Sequence, residues 1–356
     1  MDLKQQPQEQ KSEFHSNPLT YELLPNIQYY QHEYCCALAM KESNNILLAG
    51  QDNKIKVIQF KNGLKLVNCA QKHQNIVVTL NIFQNRYQFI SGSNDSQIII
   101  WSFHLMSSPK YLTKLKGHQD WIKCLVIRPK SEDLIISGSY DKTIKFWKQT
   151  SYFLTQSQNS YFKQQSWVCS QTITQHKKQI EGLSINQEGN KLITCGADHL
   201  ILIIEEIETQ WQIKQKIEVQ EFGYRISFIN NDLFAFQPRN NYLCLFSFNP
   251  NTGLYQQNQD IQVQGGEKNC DGLFPLLYLQ KQQILISKNG INVNVLKFGF
   301  INSNDYYCKL EQVIGFRFLS SWGGLIYGTA SHDGKYLITW DQISKEIQIR
   351  QLRFEK

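Results

Sequence analysis

At 356 residues the chain can form two ordinary domains or one large repeat array, with a substantial core either way. Apolar residues are 41% and charged ones 19%. No run approaches the eighteen or so apolar residues of a helical membrane span, and the first residues lack the apolar stretch of a secretory leader, so a cytoplasmic protein is expected. The nine cysteines form no C-x-x-C pair, which argues against a zinc knuckle or a disulfide framework. A net charge of +7 mildly favours an acidic partner but comes without the Lys/Arg runs of a nucleic-acid arm.

Residues 1–18, MDLKQQPQEQKSEFHSNP, hold too little apolar material to offset the entropy of ordering and read as a disordered polar tail. LTYELLPNIQYY (19–30) is strand-like. A repeat then begins, visible when the turns are aligned. QDNKIKVI (51–58), NDSQIIIW (94–101), YDKTIKFW (140–147) and ADHLILII (197–204) each set a polar turn before strand residues. A histidine precedes each turn Asp: His32 before Asp52, His73 before Asp95, His118 before Asp141 and His176 before Asp198. Two more strand-like runs fit between, such as WIKCLVI (121–127) and DLIISGS (133–139). Residues 148–166 are a polar Ser/Gln-rich insertion. Beyond 205 the signature decays while the strand rhythm continues, through a unit at 222–248 with Asn240 and Phe246 in the Asp and Trp places. A unit at 270–298 follows, with an Asn289-Gly290 turn, and then one at 321–352 with an Asp333-Gly334 hairpin signal.

The pattern resembles the WD40 repeat family, and the third copy carries the signature almost in full as Gly117-His118, Asp141 and Trp147. The family's unit of about 40 to 45 residues folds as four short strands, one blade of a propeller, and the resemblance implies the same here. The expectation is an all-β, seven-bladed β-propeller spanning 19–356, with units near 32–60, 73–103, 118–148, 176–207, 222–248, 270–298 and 321–352. In this family each repeat supplies the outer strand of one blade and the inner strands of the next. The last blade then lacks an edge, and residues 19–30 are the spare segment that can supply it. Pro25 is tolerable on such an edge.

The resemblance also implies a structural role for the recurring polar residues: His73, Ser91, Asp95 and Trp101 in the second unit, His118, Ser137, Asp141 and Trp147 in the third, and His176, Thr194 and Asp198 in the fourth, where Ile204 replaces Trp. The first unit has His32 and Asp52 beside Leu48 and Ile58. Ser, His and Asp also compose hydrolase triads, but a catalytic site needs no repetition, so the recurrence argues for hydrogen-bonded joints. No histidine pair has metal-ligand spacing and no phosphate-cradling glycine motif is present, so no metal, no cofactor and no enzyme activity are expected.

Propellers of this family present one face, where the loops entering the inner strands meet the turns carrying the Asp. Position in the repeat places Gln51, Asn94, Tyr140, Arg239 and Lys288 there, with Tyr34, Asn75, Asp120, Trp121, Lys178 and Trp322. Trp121 and Tyr140 are the expected anchors, flanked by basic residues, for an acidic peptide or domain. The leading function is a scaffold that binds other proteins in a complex. The alternatives are a subunit of cytosolic iron-sulphur cluster assembly and an RNA-binding propeller, the latter disfavoured by the scatter of Lys and Arg.

Overall fold

The computed structural model describes residues 19–41, 45–103, 110–153, 163–240, 242–265, 272–301, 305–317 and 325–354. The expected tail at 1–18 and residues 154–162 of the insertion lie outside them. The described chain begins with β1 (Leu19–Tyr30) and continues through seven four-stranded antiparallel sheets. Blade 1 is β2 (Leu38–Lys41), β3 (Ile46–Gln51), β4 (Lys54–Phe60) and β5 (Leu64–Gln71). Blade 2 is β6 (Val77–Ile82), β7 (Gln88–Ser93), β8 (Ile98–Ser102) and β9 (Lys110–Leu115). Blade 3 is β10 (Ile122–Ile127), β11 (Leu134–Ser139), β12 (Ile144–Phe153) and β13 (Lys163–Ile173). Blade 4 is β14 (Ile180–Ile185), β15 (Lys191–Gly196), β16 (Leu200–Ile207) and β17 (Gln210–Glu218). Blade 5 is β18 (Gly223–Phe228), β19 (Leu233–Pro238), β20 (Tyr242–Asn249) and β21 (Leu254–Gln262). Blade 6 is β22 (Leu277–Leu279), β23 (Ile284–Asn289), β24 (Asn292–Phe300) and β25 (Tyr306–Gly315). Blade 7 is β26 (Ile326–Ala330), β27 (Tyr336–Asp341) and β28 (Glu346–Phe354), with β1 as its fourth strand.

β1 pairs antiparallel with β28 from Leu19 opposite Phe354 to Tyr30 opposite Glu346. The register breaks between Leu23 and Gln28, around Pro25, where a residue without an N–H could not serve the ladder. Leu24 and Ile27 from the broken stretch pack against the layer between blades 7 and 1.

There is no single core. Seven apolar layers fill the spaces between successive blades. Each middle strand is therefore covered on both sides, and its sequence loses the alternation of a one-sided sheet. In β8, Ile99 and Trp101 face blade 1 while Ile98 and Ile100 face blade 3, so the run Ile98–Trp101 is buried throughout.

Two kinds of β-bulge recur. The first lies between the inner two strands of blades 2 to 5 and shifts the register at Val78, Lys123, Glu181 and Tyr224. The second lies between the outer two strands of blades 1 to 6, beside the position that holds Trp101 and Trp147, and leaves one extra residue on the outer strand, such as Val67 or Leu112. A bulge bends its strand and redirects a side chain. Here the inner bulges turn three polar or aromatic residues toward the mouth of the central channel.

Candidate partner-binding face

The face is anchored by polar joints under its turns. In blade 3, Asp141 can only accept hydrogen bonds, so His118 donates Nδ1–H to it across 2.7 Å. The other ring nitrogen then accepts from the Ser137 hydroxyl at 2.7 Å, and Ser137 Oγ accepts the Trp147 indole N–H at 2.9 Å. Donors and acceptors run in one direction without conflict. Blade 2 repeats the chain through His73–Asp95 at 2.8 Å, His73–Ser91 at 2.7 Å and Trp101–Ser91 at 2.8 Å. Blade 4 keeps His176–Asp198 at 2.9 Å and His176–Thr194 at 2.9 Å, with Ile204 filling the indole's place.

Asp141 also accepts from the backbone N–H of Gln119 and of Thr143, each at 2.9 Å. Burial alone would raise its pKa, but the hydrogen bonds from His118, Thr143 and Gln119 together outweigh that and hold the carboxyl well below the usual range. Asp95 is lowered against the same burial by His73 and the Gln74 N–H. The residue after each Asp takes a left-handed conformation: Ser96, Lys142 and His199 at φ 65°, 69° and 63°. Ser91 and Ser137 are fully buried, as is Thr194, so no substrate reaches these hydroxyls.

The SGS triplets of blades 2 and 3 have three separate tasks. Ser91 and Ser137 belong to the joints. Gly92 admits the next blade, since a Cβ there would lie 2.6 Å from Ile122 Cγ2, and Gly138 meets Ile180 the same way. Ser93 and Ser139 tie the incoming loop by donating to the carbonyls of Asn75 and Asp120.

Blade 1 does not form the joint its histidine suggested. His32 is exposed, with its ring edge-on to Tyr30 at 4.2 Å. Asp52 sits at the tip of a two-residue hairpin closed by Gln51 opposite Lys54, whereas the jointed turns are longer, as from Gly138 to Ile144. Leu48 and Ile58 offer no hydrogen-bonding group, and Gln31 takes the inward place, donating its amide to the Gly50 carbonyl at 3.3 Å.

Blades 5 and 6 use amides instead. Buried Gln237 donates to the carbonyls of Pro238 and Tyr242 and accepts from Ser287 Oγ at 3.0 Å. Asn289 donates to the Asn240 carbonyl at 2.8 Å, and Asn294 pairs with both backbone groups of Gln264. Asn240 still shapes its turn, accepting the Tyr242 N–H at 2.9 Å. Phe246 stacks on Phe234 with centroids 4.8 Å apart, as Trp101 does on Phe89 at 5.7 Å.

On the face itself, a backbone hydrogen bond links the turn of each of five blades to the loop entering its inner strand. Asn94 N–H donates to Ile76, Tyr140 to Trp121, Ala197 to Gln179, Arg239 to Phe222 and Gln342 to Leu325. Trp121 is 44% exposed, its ring 5.1 Å from Tyr140. Asp120 accepts the Trp121 N–H at 2.7 Å, which fixes the loop. Phe222 is the unforeseen equivalent of Trp121: blade 5 has no histidine to flag it. Arg239 lies over its ring at 5.2 Å and over Tyr224 at 5.8 Å.

The bulged residues complete the mouth. Lys123 Nζ is 3.5 Å from Glu181, 5.6 Å from the Tyr140 ring and 5.9 Å from that of Tyr224. Below them Arg225, 2% exposed, donates to the Phe274 carbonyl at 2.6 Å. The channel beneath encloses about 340 Å³. Lys178, Asn75 and Asp120 are exposed, Gln51 and Asn94 are half-buried, and Tyr34 is exposed near Trp340, accepting from Gln342 at 3.3 Å. Lys288 corrects an expectation: it is fully buried, not on the face. The chain leaving β21 crosses the blade 6 turn so closely that a Cβ on Gly265 would lie 2.1 Å from the Asn289 carbonyl, and this covers the position. Trp322 lies outside the described residues.

The family model for the WD domain, G-beta repeat, matches residues 109–148 and 167–205, two stretches that each begin on an outer strand and end on the third strand of the next blade. The seven sheets make the chain a β-propeller, and its matched stretches are WD40 repeats; WD40 propellers generally bind other proteins and are generally non-catalytic scaffolds. The chain is similar to the Nuclear distribution protein PAC1 of Komagataella phaffii, 26% identical over 164 residues, covering 46% of this chain and 28% of that protein. It is also similar to the Mitochondrial division protein 1 of Schizosaccharomyces pombe, 27% identical over 154 residues (42% and 22%), and to the DDB1- and CUL4-associated factor 13 of Xenopus tropicalis, 29% identical over 91 residues (26% and 17%). The chain thus spans less than a third of the length of these curated relatives.

Proposed function

We propose that this propeller is a non-catalytic scaffold subunit of a multiprotein complex, and that it holds a partner at the channel mouth of blades 3 to 5. The observation that carries this reading is the exposed Trp121 ring beside Tyr140, with Lys123 and Arg239 lying over the neighbouring rings. A rigid aromatic body with fixed backbone and adjacent cations is the composition of an interface anchor. The cations favour a partner with acidic side chains. Burial of the joint hydroxyls supports the non-catalytic reading, because a nucleophile without access has no substrate. The relatives' names describe different processes, so they support the scaffold class and leave the process open.

The test is affinity purification from the native cell with mass spectrometry, comparing the natural chain with a Trp121→Ala/Tyr140→Ala variant of unchanged melting temperature. Loss of a defined set of partners from the variant is expected. Retention of every partner would remove the proposal.

A further inference from the structure

The mild net charge hides a strong segregation. Residues 45–153, which make blades 1 to 3 apart from β2 and β13, contain fifteen Lys and Arg against six Asp and Glu, while the rest of the chain holds twenty-two against twenty-four. Most of those six acids are already engaged. Asp95 and Asp141 serve the joints, Glu132 accepts the Gln84 and Asn85 N–H groups beside Arg86, and Asp133 lies 3.6 Å from Arg128. Both arginines are engaged too, Arg86 with Glu132 and Arg128 with Glu206. What remains is lysine.

Five of these lysines follow one another along the outer rim at the end of the blades that carries the joints. Lys54 pairs across the sheet with Gln71, next to Lys72, whose Nζ lies 4.8 Å from the Tyr111 ring centroid in blade 2. On the same strand as Tyr111, Lys114 donates to Gln97 at 2.8 Å, and Lys116 follows. A Cβ at the adjoining Gly117 would lie 3.8 Å from Lys145 Cδ, and Lys145 donates to Thr172 at 3.2 Å. Among the described residues none of the five makes an ion pair. Tyr111 and Leu112, 47% and 49% exposed, stand between them.

We propose that this arc is a second docking surface, separate from the channel mouth, for an extended acidic polypeptide segment with apolar residues among its carboxylates. Lysines do guard sheet edges against stray pairing, but that does not explain the arc. The outer strand of blade 5, Leu254–Gln262, has no lysine at all, and that of blade 6 balances Lys309 with Glu311. Nucleic acid fits less well, because no arginine is left to fork onto phosphate and the Tyr111 ring already carries its own lysine. A bilayer fits less well, because one leucine and one tyrosine are too little apolar surface to enter it.

The test uses a fluorescein-labelled (Glu-Glu-Leu)4 peptide and measures binding by anisotropy at low and moderate salt. Lys72→Glu/Lys114→Glu/Lys116→Glu is compared with a control of equal charge change on blade 4, Lys177→Glu/Lys214→Glu/Lys216→Glu. A Lys72→Gln/Lys114→Gln/Lys116→Gln variant guards against a folding defect. The expected result is a loss of about tenfold or more in affinity for the rim reversal, a smaller loss for the Gln variant, and less than about twofold for the control. Equal loss in rim and control variants, reflecting bulk charge alone, would overturn the proposal. So would binding abolished by Trp121→Ala/Tyr140→Ala but kept by the rim variants. Lysine-dependent binding of a uridine homopolymer or of phosphatidylserine vesicles without peptide binding would overturn it as well.

Discussion

Trp147 donates its indole N–H to the hydroxyl of Ser137, ten residues earlier in the chain and 2.9 Å away, and so completes a relay whose direction is set by the acceptor-only carboxylate of Asp141. Ser137 Oγ accepts from the indole and gives its proton to His118, which leaves His118 to donate to Asp141. The joint is a relay ending on a carboxylate, and its weakest replacement is the loss of that last acceptor.

Asp141→Ala should therefore lower stability by about 1.5 to 3 kcal/mol, since two backbone N–H groups, an imidazole N–H and a hydroxyl lose a common partner. Asp52→Ala, at an exposed hairpin tip with φ 48°, should cost no more than about 1 kcal/mol, the left-handed strain of an alanine there. Chemical denaturation of the two variants checks the contrast. Equal effects would contradict the assignment.

Acid should weaken the fold in two stages. Burial holds the His176 pKa below its ordinary value, despite the opposing pull of Asp198, so the unfolded chain takes up a proton more readily than the folded one. The stability this contributes is complete above about pH 6.5 and is lost as pH falls below it. Asp95 and Asp141 have lowered folded values, so their contribution is present above about pH 4 and is lost as pH falls through the folded range. Melting curves at stepped pH should show both declines. A His176→Asn variant should lose the first and keep the second.

Gly265 and Gly253 both have positive φ, at 113° and 69°, but only Gly265 faces a backbone carbonyl where its Cβ would go. Gly265→Ala should destabilise by clearly more than the roughly 1 kcal/mol of left-handed strain expected for Gly253→Ala, which meets nothing within 4 Å. Comparing the two midpoints separates strain from collision.

Removing residues 1–30 strips the outer strand from blade 7 and exposes the backbone edge of β28. The truncated chain should melt earlier and associate with concentration in gel filtration. A synthetic peptide of residues 19–30 added in trans should reverse both changes.

The sequence carries the seven units because turn chemistry and strand rhythm survive even where the signature residues do not, as at Asn240 and at Phe246 on Phe234. It was misleading at His32, because residue spacing does not reveal that Asp52 caps a shorter hairpin. Lys288 was misplaced for a different reason: its burial comes from a segment some twenty residues upstream crossing over it. The inner bulges were invisible, since one extra residue in a strand has no compositional mark, and with them went Lys123, Glu181 and Tyr224. Phe222 could have been found by demanding the same place in every repeat as Trp121. The amide joints explain some of the abundant Gln and Asn, whose meaning is not legible until Gln237 is seen beside Ser287.

Leu19 lies opposite Phe354, so the first described strand is a partner of the last. During synthesis, six blades can assemble while residues 19–30 wait at the ribosome surface, and the circle shuts only when the final strand has cleared the exit tunnel.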